Sequence, residues 1–261
     1  MSNGVTTGWD MVAFMGTRAA ERLGMISNNI ANVNTLGFKQ NLLGTWRADQ
    51  LPEDNKVDLP RERLPNPEPG VYPNSCYYFD VLSRDFSQGA LHHTGGENDL
   101  AIYGSGFFKV QTPQGIRYTR NGSFRLNTDY QLVTRQGHLV LGQNGPITLN
   151  ATDKKFSVDV EGGIHLDDTL GDQLAIVDFP NPQGLILEKG GLYAATENSG
   201  LEQEAQGYQI QQGVVEESNV DPIAAMVQLI DNSRNFDSYI KILDTFQTSS
   251  ERVIKEIGRL S

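Results

Sequence analysis

The sequence predicts an α+β protein: an all-β central domain, a sandwich or partly open barrel of short antiparallel strands, inserted between N- and C-terminal helices that pair as a coiled-coil-like unit. Three observations predict it. Apolar residues recur in alternating steps of four and three near both ends, the period falls to two in the middle, and turn-forming residues punctuate that middle at short intervals. The expected division is 1–36 with 220–261 for the helical unit, 37–85 for an extended, Pro-rich arm, and 86–219 for the β domain.

The N-terminal line runs through Val5, Trp9, Val12, Gly16, Ala19, Leu23, Ile26, Ile30 and Val33, with Gly16 as its gap. A 3.5-residue repeat keeps one helix face turned to a neighbouring helix, so the line is a seam in search of a partner. Gly4, Gly8, Gly16 and Gly24 each cost about 1 kcal/mol relative to Ala in a helix interior, which makes this helix dependent on packing. Asn34-Thr35-Leu36-Gly37 ends it, with Gly at the usual C-terminal stop.

The texture then changes. Six of the eleven prolines fall between Pro52 and Pro73, among Glu53, Asp54, Glu62 and Glu68, a composition that reads as an extended arm. From about Phe86 to Glu217 the candidate strands are 100–103, 107–111, 116–119, 131–134, 138–141, 156–160, 174–179 and 208–212. Thr112-Pro113-Gln114-Gly115, Asn121-Gly122 and Asn144-Gly145-Pro146 are their expected connecting turns.

The C-terminal line is the longer one. Met226, Leu229, Ser233, Phe236, Ile240, Leu243, Gln247, Ser250, Ile254 and Ile257 follow the same 4-3 alternation, opened by Asp221 as cap and Pro222 in the first turn. A helix of this extent spans about 60 Å, too long to lie on a compact core. The two terminal lines are therefore expected to bury each other, within one molecule or between neighbours.

Charge narrows the partners. The 261 residues carry a net charge of −11, which disfavours nucleic acid because phosphate binding needs clustered Lys and Arg. Both ends are nearly neutral: Arg18, Arg22 and Lys39 face Asp10 and Glu21 in 1–40, and five basic groups face six acidic ones in 218–261. The middle holds the rest, as a solvated outer layer would. A lone Cys76 rules out an internal disulfide and makes a Cys-based metal site improbable. Met1 to Gly24 lacks the pattern of a cleaved secretory signal, and no apolar run approaches a membrane span, so any export is expected to use another route.

Catalytic chemistry finds little support. Adjacent His92 and His93 would point to opposite faces of a strand, a poor start for a shared metal. Asp167-Asp168 and Glu216-Glu217 are paired carboxylates in sequence only, and Gly104-Ser105-Gly106 reads as a tight turn, lacking the pattern of a nucleophile elbow or phosphate loop. No cofactor, metal or small-molecule substrate is expected.

Four stretches carry a family likeness. Ser27-Asn28-Asn29-Ile30-Ala31-Asn32-Val33-Asn34-Thr35-Leu36-Gly37-Phe38-Lys39 resembles the N-terminal signature of bacterial flagellar axial proteins of the rod and hook group. Residues 99–110 and 118–124 resemble the β-domain motifs of that group, and 217–222 resembles the entry to its C-terminal helix. Within the group, residues 136–147 and the modest length look most like a proximal-rod member, with distal-rod members close behind.

The resemblance implies a structural subunit of the flagellar basal-body rod, the drive shaft crossing the periplasm, and not an enzyme. It implies assembly with copies of itself and with other proximal and distal rod proteins, and export by the flagellar type III apparatus. The subunit interface would include the apolar seam residues of both helices with Ser233, Gln247 and Ser250, and Asn28, Asn29, Asn32, Gly37 and Phe38, whose amides and turn reach adjacent subunits. Two other classes share the layout: a β-domain adhesin or binding protein on a helical stalk, and a hydrolase that gathers His92, His93, Asp167 or Glu161 in one cleft.

Overall fold

The structure is a computed structural model that describes residues 8–47, 78–149, 156–166 and 169–260. Val5, Cys76, Asp167, Asp168 and the Pro-rich stretch 52–73 lie outside the described residues. Two long helices bracket a β region: α1, Gly8–Ala31, and α2, Pro222–Leu260.

The start of α2 follows from its sequence. Asp221 Oδ1 accepts from the backbone N–H of Ile223 at 2.9 Å and of Ala224 at 3.1 Å, filling orphan donors of the first turn. Pro222 occupies the position where a missing N–H costs nothing. With 39 residues, α2 is about 58 Å long at 1.5 Å per residue.

The helices pack side by side and run antiparallel. Ile30 and Val33 pack with Ala225 near the β region, while Gly16 faces Tyr239 further out, so the chain ascends one helix as it descends the other. A Cβ on Gly16 would sit 3.8 Å from that of Tyr239, so the gap in the N-terminal line is where α2 comes close.

Between the helices lie open antiparallel sheets. The main path of the ten-stranded sheet places Ile186–Glu188, Leu192–Ala194, Gly115–Thr119, Phe107–Thr112, Leu139–Gly142, Leu132–Val133 and Arg125–Leu126 side by side. Strand Leu100–Tyr103 pairs with Gln209–Gln212, and Leu91–His93 pairs with Val214–Glu216, so the last strands before α2 lie beside the first strands of the β region. Within the stretch 37–85, expected as an extended arm, the described ends are strands: Asn41–Arg47 pairs with Tyr78–Arg84 in continuous register.

Two apolar clusters fill the β region. The larger gathers Leu100, Ile102, Phe108, Val110, Leu132, Val140, Ile147, Ile164, Leu174 and Ile210. Phe107, Tyr118, Phe179, Leu185 and Tyr193 form the other, through edge-to-face rings such as Tyr118 and Phe179, 4.8 Å apart. The burial pattern of Phe107–Thr112 shows why period two was visible: Val110 and Thr112 point inward and Gln111 outward.

One expected turn is something else. Thr112 to Gly115 and Asn144-Gly145 do connect paired strands, but the strands flanking Asn121-Gly122 do not pair with each other. Gly122 is buried, with its carbonyl accepting from Leu100 N at 2.9 Å. A Cβ there would lie 1.6 Å from Leu100 O, so glycine is needed for backbone approach, not for a hairpin.

Gly122→Ala is expected to destabilise the protein by about 3 kcal/mol or more, read as a shift in urea midpoint at unchanged slope. Gly24→Ala, in an exposed stretch of α1 where an added Cβ meets nothing within 4 Å, should instead stabilise by about 1 kcal/mol.

Candidate functional site

The four stretches singled out in the sequence converge where the helices join the β region. Gly37, Phe38 and Lys39 leave α1 there, Asn219 and Val220 lead into α2, and Ile102, Gly104 and Arg120 come from the β strands. Gly37 has φ +67°, and a Cβ on it would come within 2.6 Å of the Arg120–Asn121 peptide, so the exit from α1 requires glycine twice over. Its N–H donates to Glu216 O at 2.8 Å.

At the centre is a buried carboxylate. Glu216 Oε1 accepts from Lys39 Nζ at 2.6 Å and from Gly89 N at 3.0 Å, and Glu216 Oε2 lies 3.6 Å from an Arg120 guanidinium nitrogen. The Lys39 and Glu216 side chains are 1% and 0% exposed. Lys39 Nζ also donates to Ser87 O at 2.6 Å, and Arg120 donates to Gly104 O at 2.7 Å while stacking 5.4 Å from the Phe107 ring. Asn219 completes the polar shell: its side chain accepts from Gln40 N at 2.7 Å and donates to Asp85 O at 2.8 Å.

The electrostatics are opposed and unequal. Burial holds the Lys39 ammonium below its ordinary pKa, and Glu216 pulls against that shift. Burial likewise lowers Arg120, against the pull of Glu216 and Asp178. The nearby Tyr193 hydroxyl is pushed up to about 12 by burial, with Arg84 and Arg120 opposing. Among the described residues, Glu216 Oε2 and Arg120 Nε are buried without a hydrogen bond.

The expected interface residues divide into three sets. Ala19, Ile26 and Gly16 of α1 are buried and its Val12, Leu23 and Ile30 half-buried, as is Val33 just after it; Gly16 faces Tyr239, and Ile30 and Val33 pack with Ala225 of α2. In α2 the less exposed residues are Ala225, Leu229, Asn232, Phe236, Tyr239 and Leu243, again a 4-3 line. It shares Leu229, Phe236 and Leu243 with the expected line but lies one residue earlier at the alternate positions. Met226 and Ile240 are thereby left 53% and 47% exposed, and Ser233, Gln247 and Ser250 are exposed too. Trp9 lies in α1, and Ile254 and Ile257 in α2.

The asparagines of the signature are engaged within the chain. Asn29, 3% exposed, donates to Asn41 O at 2.8 Å and accepts from Asn41 N at 3.0 Å, binding α1 to the first strand of the arm. Asn28 is exposed and accepts from the Asn41 side chain at 3.2 Å, and Asn32 donates back to Asn28 O and accepts from Thr35. Gly37 and Phe38 are buried at the junction.

Nothing catalytic assembles elsewhere in the described residues. His92 and His93 are both exposed on one strand, and no group of three or more His, Cys, Asp or Glu side chains is placed to hold a metal ion. A groove of about 660 Å³ has Lys109, Glu202 and Tyr208 among its lining residues, but Lys109 and Glu202 pair with each other at 2.6 Å. No helix of the described residues is long and apolar enough to cross a membrane.

Glu216 was missed as a site residue because it reads as one of two carboxylates paired in sequence only. The fold separates them: Glu216 closes the strand Val214–Glu216, buried along its length, and Glu217 just beyond it is exposed. The available signal was Lys39, a lysine held among apolar and turn residues at a helix end, which needs an acid if buried.

Comparison with known proteins agrees with this layout. Residues 17–39 match the family model for flagella basal body rod proteins, 101–166 that of the flagellar hook protein FlgE/F/G D1 domain, and 211–256 that of the flagellar basal body rod FlgEFG C-terminal region. The flagellar basal-body rod protein FlgF of Caulobacter vibrioides is 32% identical, over 92% of this chain and 93% of its own length. FlgG of Bacillus subtilis is 31% identical over the same shares, and FlgF of Mesorhizobium japonicum 29% over 96% and 98%. With signature, β motifs and C-terminal entry meeting at one junction, and likeness along nearly the whole length, this chain belongs to the family of flagellar basal-body rod proteins, structural subunits of the rod.

Proposed function

We propose that the chain acts as a proximal-rod subunit, polymerising through its terminal helices into the shaft that carries torque from the motor to the hook. The observation that carries this reading is the apolar surface of α2 that α1 leaves uncovered: Ile223, Met226, Val227, Ile230 and Ile240, each close to half exposed or more. Scattered exposed apolar residues are ordinary, but a row of them on one helix is a docking surface.

In this reading residues 1–36 and 220–261 form an axial unit with coiled-coil-like pairing, 37–85 an arm, and 86–219 an outer β domain. The α1 and α2 lines pair within a subunit, and the turned-out positions Met226, Ser233, Ile240, Gln247 and Ser250 meet copies of the chain or other rod proteins. Contacts of that heterologous, non-closing kind build a tube. The subunit reaches the rod, across the periplasm, through the flagellar type III export apparatus, and its role is architectural with no catalysis. A distal-rod position is the second reading, favoured by relatives named FlgG at the same level of identity, 31% in Bacillus subtilis and 33% in Buchnera aphidicola. Crosslinking within isolated basal bodies decides between them by identifying the adjacent subunits.

Removing residues 1–33 and 226–261 leaves both apolar clusters of the β region whole, so the remainder should fold, by circular dichroism and a cooperative melt, yet fail to enter the rod. A truncated chain that still assembled would overturn the axial reading. Met226→Ser with Ile240→Ser should change monomer stability by no more than about 0.5 kcal/mol per site, because both side chains are largely exposed, and should abolish assembly and swimming.

A further inference from the structure

We infer that the Lys39–Glu216–Arg120 cluster is a positioning device: it fixes one orientation of the helix pair on the β region, where apolar packing alone would leave several. The inference concerns the isolated subunit and does not rest on its place in a rod.

The ground is the contrast between the kinds of contact at the junction. Its apolar cluster is small, with Phe38, Val220 and Ala225 buried and Ile30, Val33 and Leu187 packed around them. Of these six, Leu187 alone comes from the strands of the β region, where it also packs on the second cluster. Apolar contact is non-directional, and one leucine does not select an angle. The polar contacts are many and directional, and they join segments far apart in sequence: Lys39 to Ser87 and Glu216, Glu216 to Gly89, Asn219 to Gln40 and Asp85.

A buried ion pair is a weak device for stability, since desolvating the charges consumes most of what their attraction returns. Here the disadvantage is larger, because two cations share one carboxylate and Glu216 Oε2 and Arg120 Nε lack hydrogen bonds. What such a cluster provides is a penalty on every other arrangement. Rotating the helix pair would pull Glu216 from Lys39 and leave bare charges inside the protein, whereas sliding a leucine over neighbouring side chains costs little.

Electron–electron distance measurement on the full-length chain tests this, with Cys76→Ser as background and spin labels at Val227→Cys and Gln143→Cys. The otherwise unmodified chain should give a single narrow distance distribution. Lys39→Met with Glu216→Gln, which removes the attraction without adding net charge, should widen it by about twofold or more while the β region still melts cooperatively. Asn219→Ala, at a half-buried position that leaves the charges in place, is the milder variant and should widen it less. Leu187→Ala should lower the melting temperature and leave the distribution narrow. A broad distribution in the unmodified chain, one that stays narrow in the Lys39→Met, Glu216→Gln variant, or widening by Leu187→Ala to the same extent, would overturn the inference.

Discussion

A carboxylate with no access to water, placed between a lysine and an arginine, is the constraint from which the rest of the subunit follows. Glu216 ends the last strand before α2, Lys39 follows the turn out of α1, and Arg120 leaves the strand whose neighbour carries Phe107 and Phe108. None of the three would be tolerated alone at that depth. Together they oblige three distant segments to meet, at the place where α1 ends and α2 begins. The glycines nearby serve the same end: Gly37 lets the chain turn against the Arg120 peptide, and Gly89 brings its N–H to Glu216 because its own Cα faces the Glu217 carbonyl.

Given that junction, the helices have little choice of partner. Leaving the β region side by side, they run antiparallel, with Ile30 and Val33 beside Ala225 and Gly16 beside Tyr239. Burial along α2 then weakens with distance from the β region: Ala225 is 3% exposed, whereas Leu243 is only half-buried and residues 244–252 are exposed. On the proposed function, a two-helix unit of this kind supports itself at its root and meets neighbours towards its tip.

How much of this was legible in the sequence depends on the length scale of each signal. Helix ends and caps were legible because they are set within four residues, as Asp221 and Pro222 show. Strands that are largely buried, such as Leu100–Tyr103 and Phe107–Thr112, came within a residue of their predicted extent. Short pairings such as Ile186–Glu188 with Leu192–Ala194, and Gly163–Leu166 with Thr169–Gln173, were missed, since runs so short and of mixed polarity carry no clear period. The seam of α2 was found but placed one residue off at alternate positions, because Met226 and Ile240 are more apolar than the Asn232 and Tyr239 that face α1. The junction was illegible as a site, since its charges lie 177 residues apart and only the fold brings them to 2.6 Å.

That displacement of the seam carries a physical meaning. If Met226 and Ile240 faced α1, α2 would have one apolar line and the helix pair would be closed on itself. Instead the inward line includes Asn232 and Tyr239, half-polar residues suited to a seam that is only partly dry, and the stronger apolar residues face outward. An outward face richer in Ile and Val than the inward one is unfavourable for a subunit that remains single, at about 25 cal/mol for each Å² of apolar surface kept in water. It becomes favourable once another helix covers it. On the function proposed above, α2 serves two interfaces, a modest one within the chain and a stronger one outside it, and on the inference drawn from the junction the buried charges at its root hold the angle at which the second is presented.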